Sequence, residues 1–307
     1  MAALNPPRVL PGLGRTIVNF LLETRRAWTE EELLEVFKPA GLNDGATAHH
    51  GVTNTMSAFR AIGILATKSG EVMVTEEVAA LGPKLSITTF RRALQTHVFD
   101  LERDGDPWQT QIGDAHTGGA RDLNRALSWL LAQDALGRPL TWTGTGNIQG
   151  TQRKQFKTPD NELWAITNDV RWGATSRWAL VLGLATPSAL QKVSGLTPLP
   201  VVAINDVLDE LPAERTPIAE FLTRLGSKVP VLAGGAVRTG LVAHLGSDPD
   251  PGIAADCSDS SVGQALRILE DRGRLSFETL PDAPGVRLSR FDNNRQTHVT
   301  LKRGGKR

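Results

Sequence analysis

Thr53, Asn54, Ser57 and Arg60 are four hydrogen-bonding side chains, none acidic, spaced to share one face of a helix. Such a face, opposite an apolar stripe of Val52, Met56, Phe59 and Ile62, suits base edges and phosphates in a DNA groove. Lys68 follows in the turn Lys68-Ser69-Gly70, where a cation would meet the phosphate backbone. A second set lies near the C-terminus, with Gln264 and Arg267 on a helix face that also carries Asp271, and Arg274 soon after. Lys302 and Arg303 belong to the basic ending LKRGGKR. All these residues are candidate DNA contacts. The same faces would also serve as solvated or protein-docking surfaces, and the acidity of the rest of the chain favours that alternative.

Signals for catalysis are weaker. GTGNIQG (144–150) has the glycines of a nucleotide loop but lacks a clear preceding strand and following helix, and no G-x-x-x-x-G-K-[ST] occurs. His49 and His50 are adjacent, not four apart, so they do not present two imidazoles on one helical face. Asp248, Asp250, Asp256 and Asp259 could surround a cation, but their spacing is not that of a calcium loop. Asp259 or Ser258 reads more simply as the cap of the next helix. No catalytic residue, cofactor or metal ligand is expected, and the chain reads as a non-enzyme.

The arithmetic of the whole chain agrees. Its 307 residues carry 34 basic and 33 acidic side chains, a net +1. From Arg287 onward seven basic residues face one acid, a net +6, which leaves −5 for residues 1–286. A basic end on an acidic body fits salt-dependent attachment to a polyanion. A single cysteine, Cys257, excludes an intramolecular disulfide framework and a cysteine-rich zinc site. No window approaches a membrane span, and the proline-interrupted start does not read as a signal peptide, so a cytoplasmic protein without membrane contact is expected.

The elements that would position these side chains are helices followed by hairpins. Residues 12–26 read as an amphipathic helix, Thr29 and Glu32 form a capping box, and a third helix spans about 51–64. ILATKSGEVMVT then reads as a hairpin. Three helices and a hairpin are the order of a winged helix. A similar order returns with 217–226, 235–246 and a helix from about Ser258, followed by two strands around Pro281–Gly285. A fainter copy lies at 171–186 and 194–200. The stretches 102–120 and 143–161 read as surface loops, and 121–137 as a strong amphipathic helix. Trp129, Trp164, Trp172 and Trp178 read as core, and Trp108 either as a loop residue tucked onto the core or as a partner-facing anchor.

The expected fold class is therefore mainly α with short β-hairpins (α+β), built from multiple winged-helix-like modules. The expected domains are an N-terminal winged helix (1–86), a central mostly helical region (87–212) with a degenerate winged helix at 162–212, a C-terminal winged helix (213–293) and a basic tail (294–307).

Several longer stretches carry a family likeness. LNPPRVLPGLGR, DGDPW (104–108), ARDLNRALSWLLAQDALG (120–137), NDVRWGATSRWALVLGLA (168–185) and LRILEDRGRLSFETLPDAPGVRLSRFDN (266–293) resemble DpdG. That bacterial family is encoded in clusters that insert 7-deazaguanine derivatives into DNA and restrict unmodified DNA. The resemblance implies a setting in phage and plasmid defence, with other proteins of the modification and restriction cluster as partners. It supplies no catalytic residues. Together with the residues above, it leads to an expected adaptor that contacts DNA and recruits those partners. The alternative is a protein–protein scaffold of the same system with no nucleic-acid contact.

Overall fold

The computed structural model describes residues 3–4, 9–37, 50–109, 119–144, 147–157, 163–164, 166–188, 195–250 and 257–302. The chain is mainly α-helical with small antiparallel sheets, as its patterning predicts. In order, the elements are α1 (Pro11–Thr24), β1 (Trp28–Thr29), α2 (Glu30–Phe37), α3 (His50–Ala61), β2 (Leu65–Lys68), β3 (Glu71–Val74), α4 (Glu76–Ala79), α5 (Ile87–Val98), α6 (Leu101–Asp104) and α7 (Arg121–Leu131). There follow α8 (Ile148–Gln155), α9 (Asp169–Val181), β4 (Ala185–Pro187), β5 (Leu196–Pro198), α10 (Val201–Leu208), β6 (Thr216–Pro217), α11 (Ile218–Lys228), α12 (Ala236–His244), α13 (Ser260–Asp271), β7 (Leu275–Glu278) and β8 (His298–Leu301). Two compact units result, one of residues 1–124 and 165–182, the other of 125–164 and 183–307. Among the described residues no helix is long and apolar enough to cross a membrane.

In the first unit the sheet order is β1-β3-β2, all antiparallel. Ile17, Val18 and Leu21 of α1 and Val52, Met56 and Phe59 of α3 are buried, and Phe59 stacks near Phe90 and Trp178 at 6.1 Å. Gly14 permits the close approach, since a Cβ there would lie 2.1 Å from the Phe59 ring. The capping box forms as read: Thr29 N–H donates to Glu32 Oε2 at 2.9 Å and Glu32 N–H to Thr29 Oγ1 at 3.2 Å. Trp108 is tucked away, 7% exposed.

In the second unit the sheet order is β6-β8-β7. Here the structure departs from the sequence reading. The strand returning beside β7 is β8, with Leu275 opposite Leu301 and Glu278 opposite His298. Residues 286 and 287 make only single bridges, to Gln296 and Cys257. The alternation in GVRLS therefore marks a pinned segment of a long loop, and the expected basic tail contains a core strand with Val299 1% exposed.

Two polar segments also differ from what their composition predicts. Within the expected loop 143–161 lies α8, whose Asn147 cap accepts from Gly150 N–H at 3.2 Å. Its apolar content is low, and a buried network holds it: Trp129 Nε1–H donates to Gln155 Oε1 at 2.7 Å, and Gln155 Nε2–H to Gln133 Oε1 at 2.9 Å. At the start of α13, Asp259 stands at the cap position without capping, because its carboxylate pairs with Arg238 at 3.0 Å. Ser260 N–H instead meets Asp250 Oδ2 at 3.3 Å. Asp256 lies outside the described residues.

Both units use one device to pass from helix to strand. Gly63 (φ 75°) and Gly273 (φ 68°) take left-handed conformations that cost other residues more. In each case the next amide donates back five residues, Ile64 to Phe59 O and Arg274 to Leu269 O, both at 2.9 Å. The strand follows directly, which sets the angle between helix and strand.

Candidate nucleic-acid interface

Burial of Val52, Thr55, Met56, Ala58 and Phe59 sets the rotation of α3. Thr53, Asn54, Ser57 and Arg60 consequently share its half-buried outer face. Thr55 points inward, where its hydroxyl donates to Gly51 O at 2.6 Å and accepts Leu10 N–H at 3.0 Å. The four expected contact residues of the first unit are thus brought onto one surface. His50 begins this helix and is exposed, while His49 lies outside the described residues.

The hairpin after α3 is tight. Ser69 (φ 54°) and Gly70 (φ 84°) are its two loop residues, both left-handed, as a type I′ turn requires. Lys68 is exposed at its edge, with Glu71 as its cross-strand neighbour. Arg60 is not a bare cation: its Nη2 lies 2.6 Å from Glu30 Oε2, the first residue of α2. Glu31 and Glu32 follow, and Glu32 is held below the ordinary carboxylate range, first by the Thr29 amide, with burial opposing and the Arg26 charge assisting.

The corresponding cations of the second unit are committed to its own structure. Arg267 and Gln264 lie on one half-buried face of α13. Arg267 Nη1 meets Glu270 Oε2 and its Nη2 meets Asp292 Oδ2, each at 2.9 Å. Burial disfavours its charge, but these two carboxylates outweigh that and raise its pKa. Arg274 ties β7 to α10, with Nε–H donating to Asn205 Oδ1 at 2.9 Å and Nη2 lying 2.8 Å from Asp209 Oδ1. Lys302 is exposed just after β8, its amide donating to Arg274 O at 2.8 Å. Arg303 lies outside the described residues.

The partners Glu30, Asp209 and Asp292 escaped the sequence reading because each comes from a distant element, at separations of 30, 65 and 25 residues. No local spacing announces such pairs. Among the described residues no group of three or more His, Cys, Asp and Glu side chains converges to hold a metal.

A family model described as DpdG-like matches residues 1–283. The chain belongs to the DpdG-like family. No curated protein and no solved structure matches it. The match covers the α3 face, the Lys68 hairpin and all of α13 of this DpdG-like chain, and ends in the loop between β7 and β8. Lys302 and Arg303 fall beyond it. Membership associates the chain with the 7-deazaguanine DNA-modification system.

Proposed function

We propose that this DpdG-like chain is a cytoplasmic, non-enzymatic adaptor of a DNA-modification-dependent restriction system. Its first unit contacts DNA in the manner of a winged helix, and its other surfaces recruit proteins of the same cluster. The observation that carries this reading is the order helix–strand–helix–helix–strand–strand with sheet order β1-β3-β2. It sets the Thr53, Asn54, Ser57 and Arg60 face of α3 beside a tight hairpin with Lys68 at its edge. A recognition helix and a wing need this combination.

The second unit repeats the order from α10, through β6, α11 and α13, to β7 and β8, with α12 inserted. With Arg267 and Arg274 already paired, it suits protein docking better than phosphate. A scaffold with no nucleic-acid contact is the second reading, favoured by one observation: Glu30 neutralises Arg60 beside an acidic turn of α2.

Titration of duplex DNA with the full chain at several salt concentrations separates the two. The adaptor reading expects affinity that falls steeply with salt and weakens in Lys68→Glu and Asn54→Asp. No binding at low salt would leave the scaffold.

A further inference from the structure

At the opposite edge of the first unit's sheet from β2, a groove of about 540 Å³ opens between the end of α1, β3 and residues 79–83. Its floor is apolar, with Leu21, Leu22 and Val74 among its lining, and no described lining residue is acidic. Among the described residues, no strand pairs with β3 on that side beyond the end of β1. β1 pairs with β3 only at Glu71 and Val72. Thr75 N–H donates to Ile64 O on the β2 side. Antiparallel alternation therefore turns the N–H and C=O of Val74, one residue earlier, the other way, past the end of β1. An unpaired strand edge of this kind is a template for another strand.

The mouth of the groove is cationic. Arg25 caps α1 at φ 50° and ψ 25°, its amide donating to Leu21 O at 3.3 Å. Glycine is the usual residue in this left-handed position, and a long side chain held there is a costlier choice. The Arg25 side chain is exposed and makes no ion pair among the described residues. Arg26 beside it is already used, stacked 3.4 Å from the Trp28 ring and 3.4 Å from Glu32 Oε1.

We propose that this groove docks an extended acidic segment of a partner protein. The segment lies along β3 at Val74, beside Arg26 and Ala27 where the chain enters β1, sets an apolar side chain on the floor and places a carboxylate against Arg25. The inference stands apart from DNA contact, which concerns α3 and the opposite edge of the sheet.

The test is an NMR titration of the full chain with a capped peptide of alternating glutamate and valine. Binding is expected to saturate, with slowed exchange of the Val74 amide and shifts around the groove. Arg25→Gly keeps the left-handed cap and removes only the guanidinium, so its melting temperature should hold while peptide affinity falls roughly tenfold. Lys68→Glu should leave peptide binding unchanged. The proposal is overturned by the absence of saturable binding, by a peptide of lysine and valine binding equally well, by wild-type affinity in Arg25→Gly, or by duplex DNA occupying the groove in place of the peptide.

Discussion

Arg60 in the last turn of α3 reaches Glu30 at the start of α2, Nη2 to Oε2 at 2.6 Å. The pair is part-exposed, so its worth to folding is small, about 0.5 kcal/mol. Its effect on DNA contact by the proposed α3 face should be larger, because Glu30 cancels the Arg60 cation of that face. Glu30→Gln should therefore raise affinity for duplex DNA several-fold, about one phosphate contact's worth, and steepen the salt dependence. Fluorescence anisotropy measures both. If the variant binds as the wild type does, Arg60 plays no part in DNA contact.

The second unit makes the opposite prediction. Arg267→Ala removes the cation shared by Glu270 and Asp292 and leaves both carboxylates without it. Stability should drop by about 1–2 kcal/mol, read from urea unfolding, with DNA affinity unchanged. A loss of affinity without a loss of stability would return Arg267 to the set of DNA contacts.

These two arginines also mark how far the sequence could be read. The periodicity of Val52, Met56 and Phe59 sufficed to orient α3, so the outward position of Arg60 was legible. Its occupation by Glu30 was not, since the partner lies 30 residues away across the fold. Lys68-Ser69-Gly70 announced its hairpin because a two-residue left-handed turn has a composition of its own. The return strand β8 was hidden among charges near the C-terminus, while Pro281 to Gly285 offered a nearer, misleading turn. α8 was missed because glutamine hydrogen bonds, not an apolar stripe, hold it in place.

Packing predicts one severe variant. A Cβ on Gly263 would lie 1.6 Å from Leu288 O, where α13 meets the loop segment that follows β7. The two nearest atoms, Leu288 O and C, are backbone, so no side-chain movement relieves the overlap. Gly263→Ala should cost at least about 3 kcal/mol and expose the second unit to limited proteolysis. A melting temperature close to wild type would mean that α13 and residue 288 do not meet this way.

Acid sensitivity has a named source in the first unit. His97 is 8% exposed, and burial, with the Arg103 charge, holds its pKa below the ordinary histidine value, while Glu77 partly opposes. The unfolded chain takes up a proton near pH 6.5 that the folded chain resists, so stability present above that pH is lost as pH falls below it. Asp250 acts with the opposite sign, because burial raises its pKa and its ionised form disfavours the fold. The difference in melting temperature between wild type and His97→Gln therefore isolates the histidine. The wild type should lose more stability than the variant between about pH 7 and 5.5. Parallel curves would show that His97 is not the sensor.

Salt-titrated binding of a labelled duplex to the full chain, run beside the double variant Asn54→Asp with Lys68→Glu, addresses DNA contact by the first unit directly. Wild-type affinity should fall at least roughly tenfold between about 50 and 200 mM salt, and the double variant should bind weakly with a shallower slope. Equal affinity and equal slope in the two proteins, or no wild-type binding at low salt, would contradict that contact.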